Sequence, residues 1–163
     1  MRSHELLMSV LNFLSAALPS QPGLTAALLG ISTTHVDPSK KTASASLVAP
    51  AKSDFIVAIP KLLAMENLPF PVHEALLRTL GLLWLAGEDL PDVLKDFRSK
   101  DFWVSLIKPL RTFDAKASAH DDAVDLSEQF AISSHCLRVI TQELVMGPRV
   151  TETILPVLKE IKV

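Results

Sequence analysis

The segment over residues 98–111 constrains the fold more than any other part of this chain. A wide apolar face that includes two aromatic rings has to be covered by other helices. Ser99 is placed to cap such a helix, and Pro109 lies close to its end. The segment therefore predicts a helix that is buried in a helical core. Its apolar residues, at the spacing of one helix face, are Phe102, Trp103, Leu106, Ile107 and Leu110.

Similar apolar stripes, separated by turns that contain proline, recur along the rest of the chain. The helix predicted over 72–87 is apolar around most of its circumference, so we expect it to be buried on more than one side. No segment shows the sustained alternation of a strand. The chain is therefore predicted to be all-α, with consecutive helices antiparallel. The predicted helices cover residues 3–18, 21–30, 55–67, 72–87, 91–97, 99–113, 121–146 and 149–161.

Two of these predicted helices have especially broad apolar faces. In the helix over 3–18 the face consists of Leu6, Leu7, Val10, Leu11, Phe13, Leu14 and Leu18. In the helix over 121–146 it consists of Val124, Phe130, Ile132, Cys136, Val139, Ile140 and Leu144. Pro60 and Pro156 fall inside two other predicted helices, where a proline removes an internal hydrogen bond.

The longest polar connection in the chain covers residues 31–52, which are rich in Ser, Thr, Ala and Lys. Loops of this length are uncommon inside a compact domain. We therefore expect a flexible linker or an insertion between two helical pairs. The 163 residues otherwise form one domain, predicted to be an irregular HEAT/armadillo-like solenoid segment of about seven to eight helices.

The composition is more apolar than that of an ordinary small domain. Hydrophobic residues make up 48% of the chain, and the mean hydropathy is +0.31. The longest mainly apolar run, Leu6–Leu18, is shorter than the roughly 20 residues that a membrane span needs. We therefore expect no direct membrane span, and we expect the excess apolar surface to be covered by something outside these residues.

Charge and cysteine content limit the kinds of ligand and the cellular compartment that we expect for the chain. The net charge of −2 gives no support to a nucleic-acid-binding surface. The basic residues Lys40, Lys41 and Lys52 are interpreted as part of a solvated loop. Glu5 lies where a secretory signal carries positive charge, so we expect no such signal. A single cysteine, Cys136, forms no internal disulfide, which is typical of a reducing compartment.

The sequence predicts no catalytic residue, no cofactor-binding residue and no metal ligand. His120-Asp121-Asp122 is the only cluster of potential ligands, and we interpret it as a loop and a helix cap. His135 and Cys136 are adjacent on a helix and therefore do not face each other. Trp84, Phe102 and Trp103 are predicted to be core residues. The carboxylates Glu66, Glu74 and Glu88 are predicted to lie unpaired on the surface.

Four motifs in sequence order resemble one protein family. They lie at residues 21–24 (QPGL), 74–84, 102–110 (FWVSLIKPL) and 136–144 (CLRVITQEL). Together they resemble the large helical-solenoid scaffold nucleoporins of the nuclear pore inner ring, and more nearly the paralogue with the smaller solenoid and an internal SH3-like insertion. Because such proteins are many times longer, the resemblance implies that the chain is a fragment. The polar stretch 31–52 and the prolines within helices depart from the family pattern.

Three functions follow from these observations. The resemblance implies a structural scaffold that supports pore assembly and nucleocytoplasmic transport at the nuclear envelope. Its partners would be other nucleoporins, bound through short helical segments, with no cofactor and no catalysis. The alternative is an importin-like or armadillo-type adaptor that binds cargo peptides. A third possibility is a small enzyme or lipid-binding domain with an apolar cavity lined by Trp84, Phe102 and Leu106.

Overall fold

Seven helices make up most of the residues that the computed structural model describes, which are 2–21, 54–87, 91–112, 123–146, 152 and 154–159. These residues contain no strand, and the all-α prediction is confirmed. The predicted helix after Gln21, the linker over 31–52 and the loop over 114–120 lie outside the described residues. The helices are α1 (Arg2–Ser20), α2 (Asp54–Leu63), α3 (Phe70–Leu85), α4 (Pro91–Phe97), α5 (Lys100–Thr112), α6 (Ala123–Val145) and α7 (Leu155–Leu158).

The main helix contacts fall into two rows. In the first row α1 packs against α3, and α3 packs against α6. In the second row α2 packs against α5, and α5 packs against α7. Contacts of α2 with α3 and of α5 with α6 join the rows. Apart from the short α4, the successive helices of the described ranges therefore alternate between the two rows.

Side-chain contacts give the directions of the helices. Within the first row α3 and α6 run parallel, because Glu74 lies beside His135 and, farther along both helices, Trp84 reaches Glu143. The helices α5 and α6 run antiparallel. Arg98, just before α5, pairs with Glu143 near the end of α6, and the far end of α5 lies beside the beginning of α6. The predicted antiparallel arrangement of consecutive helices is therefore observed for this pair.

Helix α3 forms the centre of the core, since it is flanked in its own row by α1 and α6 and contacts α2 in the other row. This position explains why its apolar residues are spread around its circumference, as the sequence predicted. The helix begins at Phe70, two residues earlier than predicted. Pro71 lies in its first turn, where a missing N–H costs no internal hydrogen bond. The buried residues of α3 include Val72, Ala75, Leu76, Leu77, Leu80, Leu83 and Trp84.

Four aromatic rings pack together where α3, α4 and α5 meet. The ring of Trp84 lies parallel to that of Phe102 with their centroids 5.3 Å apart, and Trp103 approaches Trp84 edge-on at 5.7 Å. Phe97 contacts both Trp84 and Phe102. The backbone N–H of Phe102 donates to Oγ of Ser99 at 3.2 Å, so the predicted cap of α5 is confirmed. The predicted core role of Trp84, Phe102 and Trp103 is confirmed as well.

Several helix ends differ from the predicted ones, mainly near prolines. Helix α1 continues through Pro19 because the N–H of Gln21 still reaches the carbonyl of Ala17 at 2.7 Å. Helix α2 contains Pro60 but ends at Leu63, four residues earlier than predicted. The helix predicted over 149–161 is described only over 155–158. Pro156 lies in its first turn and removes no internal bond there.

Candidate interaction faces

Helix α1 exposes a stripe of three large apolar side chains, which we call the α1 face: Leu6, Val10 and Phe13. Leu6 is 68% exposed and Phe13 is 54% exposed. The opposite side of the helix packs on α3, where Oγ of Ser15 lies 2.9 Å from Oγ1 of Thr79. With 3.6 residues per turn, the α1 face lies about 160° around the helix from the side that carries Asn12 and Ser15. The α1 face therefore points away from α3, which is the described helix that α1 mainly contacts.

Helix α6 exposes a second stripe, which we call the α6 face: Phe130, Leu137 and Leu144. These residues are spaced seven apart, and Phe130 and Leu137 are 54% and 53% exposed. His135 and Glu143 mark the side of α6 that contacts α3. The α6 face lies about 160° around the helix from that side. The first row thus presents an apolar stripe at each of its two ends.

The sequence analysis assigned most of these residues to apolar stripes. It did not distinguish the side chains that the fold buries from those that stay exposed. On α1 the residues Leu11, Leu14 and Leu18 are buried, whereas the three residues of the α1 face are not. Sequence reasoning missed Leu137, although its spacing of seven from Phe130 and Leu144 is a detectable signal. The exposure of both stripes agrees with the expectation of more apolar surface than the chain buries alone.

The surroundings of the α6 face are mostly polar, and they include the exposed Arg138, which follows Leu137 in the chain. The exposed side chains between its three members include Ser134 and Thr141. The guanidinium group of Arg138 belongs to another side of the helix, because the Arg138 side chain lies over Gly81 of α3. An apolar stripe bordered by small hydroxyl side chains is suited to pack against another apolar helix.

A cleft of about 300 Å³ lies between the end of α2, the beginnings of α3 and α6, and the last turns of α5. Nζ of Lys108 lies 3.2 Å from Oε1 of Glu66 on its lining, and burial lowers the pKa of His73 there. The prediction that the surface carboxylates are unpaired is wrong for Glu66. Glu74 lies 3.9 Å from Nε2 of His135, which forms an ion pair only when the imidazole is protonated. Glu88 lies outside the described residues. The other lining residues are Leu63, Met65, Ser105, Pro109, Gln129, Ile132 and Ser133.

Sequence reasoning missed a buried carboxylate in the core. Glu143 is completely buried, and it accepts a hydrogen bond of 2.8 Å from Nε1 of Trp84 and one of 3.0 Å from Nε of Arg98. Because both donors belong to the fold itself, the carboxylate links α3 and α6 to Arg98, the residue after α4. Nothing in this arrangement gives it access to a substrate.

The remaining groups with potential reactivity are held apart. Burial raises the pKa of the Cys136 thiol to about 12, so the thiol is protonated at neutral pH. Burial lowers the pKa of the neighbouring His135, while Glu74 acts in the opposite direction. Among the described residues, no group of three or more His, Cys, Asp or Glu side chains is placed to hold a metal ion. His120-Asp121-Asp122 lies outside those residues.

The rings of Trp84 and Phe102 stack on each other with their centroids 5.3 Å apart, and Leu106 is completely buried, so these three side chains pack in the core. Within the described part of the chain, no helix combines the length and the apolar composition that a membrane crossing requires.

No known protein family, curated protein or solved structure matches the chain.

Proposed function

We propose that this chain is a structural scaffold segment that binds other proteins through the two open ends of its first helix row. The observation that carries the proposal is the exposure of the α1 face and the α6 face, each turned away from α3. Scattered single apolar residues on a surface need no explanation, but stripes that lie where the next helix of a row would pack do. Covering both stripes by partner helices would remove this apolar surface from water.

The alternation of helices between two rows supports a solenoid-like stack of helix pairs. In such a stack each pair contacts only its neighbours, and the terminal faces stay available. The resemblance to scaffold nucleoporins of the nuclear pore inner ring adds the class of partner. It suggests other nucleoporins, bound through short helical segments, in pore assembly and nucleocytoplasmic transport at the nuclear envelope. No cofactor and no catalytic step belong to this proposal.

Proximity labelling of the tagged chain in nucleated cells tests this function. The expected result is enrichment of nuclear pore components, lost in a variant that carries Phe13→Glu and Leu137→Glu. The matched control is Lys108→Gln, which changes an exposed side chain of the cleft and leaves both faces intact. Labelling of pore components that is the same in the face variant as in the wild type would contradict the role of the two faces.

The alternative adaptor function predicts a different result in the same experiment. Soluble transport cargo would be labelled, and pore components would not be. Peptide-binding solenoids commonly use exposed indole or amide side chains on successive helices. Trp84 and Trp103 are both completely buried, so neither is available for that role. This burial favours the scaffold over the adaptor.

A further inference from the structure

We propose that the exposed side of α3 binds a carboxylate side chain of a partner protein, held between the guanidinium groups of Arg78 and Arg138. We call these two residues the arginine pair. The inference goes beyond the proposed function and does not rest on it, because it uses no residue of the α1 face or the α6 face. It names the chemistry of one contact, a monovalent oxyanion carried by a peptide segment.

The packing of α3 on α6 brings the arginine pair together. The two helices run parallel, and Nε2 of His135 lies 3.9 Å from Oε1 of Glu74. Arg78 follows Glu74 by four residues and Arg138 follows His135 by three, so both arginines lie about 4.5–6 Å farther along their helices. Burial lowers the pKa of His135 and Glu74 opposes this, while the positive charges of Arg138 and Arg78 lower the pKa further. Both guanidinium groups are therefore near the same imidazole.

A glycine allows the two side chains of the arginine pair to approach each other. Gly81 follows Arg78 by one turn of α3, and the side chain of Arg138 lies across it. Cδ and Nε of Arg138 are 3.6 Å and 4.0 Å from the position of an added Cβ at Gly81. Arg78 is partly buried, and its Nη2 donates to Oδ1 of Asn12 at 2.6 Å. The contact with α1 thus holds one guanidinium group in place, while the other is exposed.

The positive charge of the arginine pair is not neutralised by the described part of the chain. Among the described residues, no carboxylate lies within ion-pair distance of either guanidinium group. Nε of Arg78 is buried without an acceptor, whereas Arg98 pairs with Glu143. A partly desolvated cation without a counter-ion gains free energy when an oxyanion binds it, because the new hydrogen bonds are charge-assisted.

The local charge favours a carboxylate over a phosphate or a polyanion. Glu74 is close to the arginine pair, and burial favours neutral His135, so the site has a single net positive charge at neutral pH. A carboxylate has one negative charge and accepts two parallel N–H bonds from a guanidinium group. A phosphorylated side chain has nearly two, and Glu74 would repel it more strongly. The net charge of −2 on the whole chain disfavours a nucleic acid.

Nuclear magnetic resonance of the isotope-labelled chain tests this site. The probe is a capped peptide of sequence GSESG, which offers one carboxylate. Its titration is expected to shift the Nε–H signal of Arg138 and the backbone signals around Gly81 in a saturable way, with a Kd of about 1 mM or weaker for a single contact. Arg78→Gln and Arg138→Gln are each expected to weaken binding about two- to fivefold, and Glu74→Gln to strengthen it by a similar factor.

The matched control is Arg111→Gln, which removes the same charge from an exposed position at the end of α5 and should leave binding unchanged. Absence of saturable shifts would overturn the inference. Equal weakening by Arg111→Gln and Arg138→Gln would overturn it too, because attraction by net charge would then explain the binding.

Two further peptides test the chemistry of the ligand. A peptide with glutamine in place of glutamate is expected not to bind, and equal binding would overturn the role of the carboxylate. Tighter binding of a peptide with phosphoserine at that position would overturn the choice of a carboxylate. Circular dichroism verifies that the variants fold, and the exposed Arg138→Gln decides the outcome if Arg78→Gln does not. Because the Phe13→Glu and Leu137→Glu variant retains the arginine pair, this inference and the proposed function can fail separately.

Discussion

Glu143 shows how a single side chain ties three parts of the fold together. Its carboxylate is completely buried, with Trp84 of α3 on one side and Arg98, the residue after α4, on the other. Burying an ion pair costs desolvation energy that the attraction between the charges only partly returns. The benefit of this pair therefore lies in fixing how α3, α6 and the α4–α5 junction pack.

Replacing this carboxylate is expected to be costly. Glu143→Ala leaves the guanidinium of Arg98 and the indole N–H of Trp84 without their acceptor, and it should lower the free energy of unfolding by about 3–5 kcal/mol. Glu143→Gln retains one acceptor oxygen and should cost less. Urea denaturation monitored by circular dichroism measures both. The control is Glu66→Ala, which removes the exposed pair with Lys108 and should cost at most about 1 kcal/mol. Equal losses for Glu66→Ala and Glu143→Ala would contradict the prediction.

The pKa of His73 connects stability to pH. Burial lowers this pKa in the folded protein, so below a pH of about 6.5 the unfolded chain binds more protons at this site than the folded chain does. Stability should therefore be fully present above that pH and should fall as the pH decreases toward the folded pKa. His73→Gln is expected to reduce the loss of stability between about pH 7 and pH 5.

Urea titrations at several pH values measure this effect. The control is His4→Gln, which replaces an exposed histidine of α1 in the same way. A pH profile of His73→Gln identical to that of the wild type would show that His73 contributes nothing to acid sensitivity.

At the scale of elements, Gly81 and Gly87 differ in the space that each leaves for an added Cβ atom. Gly81 lies inside α3 under the side chain of Arg138, and an added Cβ would sit 3.6 Å from Cδ of that side chain, an ordinary contact. Gly87 lies just after α3. An added Cβ there would collide with Cε of Met146 and would come within 2.6 Å of Cδ1 of Leu94 and 2.9 Å of the carbonyl oxygen of Trp84.

This contrast predicts effects of opposite sign for the same substitution. Gly81→Ala should stabilise the protein by up to about 1 kcal/mol, because alanine favours the helix more than glycine does. Gly87→Ala should destabilise it by about 1–3 kcal/mol through overpacking at the junction of α3, α4 and α6. Thermal and urea denaturation of the two variants test the pair. Destabilisation by both, to the same extent, would refute the assignment of an ordinary contact to a Cβ at Gly81.

The helices themselves were largely predictable, because their signals are local. The prediction for residues 91–97 matches α4, and the Ser99 cap before α5 follows from the sequence alone. The pairing of Glu143 was not predictable. Its partners Trp84 and Arg98 lie 59 and 45 residues away in the chain, and a single carboxylate on a helix usually faces water.

The candidate interaction faces were predictable only in part, for a related reason. Periodicity shows which side of a helix is apolar, as it does for Phe13 and Phe130. It does not show which neighbour covers that side, since this depends on the order of helices within a row. Leu11 is buried and Leu6 remains exposed, although both belong to the same apolar stripe. This difference in burial depends on how the helices pack, and the stripe alone does not show it.

At the scale of the whole molecule, the two rows divide apolar residues into two classes. Residues between rows and between row neighbours, such as Leu80 and Ile140, hold the fold together. Residues on the α1 and α6 faces are 38–68% exposed in the folded chain, so they contribute less to folding than the fully buried residues do. Stability and interaction therefore depend on different apolar residues, and substitutions can separate the two.

A polar version of both faces tests this separation. Replacing four exposed residues by glutamine, Leu6, Phe13, Leu137 and Leu144, should lower the fluorescence of a hydrophobic dye bound to the native protein. The melting temperature should change little, since each exposed substitution usually alters stability by about 0.5 kcal/mol or less. Leu80→Ala should do the reverse, because it opens a cavity in the core and costs about 2–5 kcal/mol. A wild type that binds no dye and melts cooperatively as a monomer would mean that neither face is available to a partner.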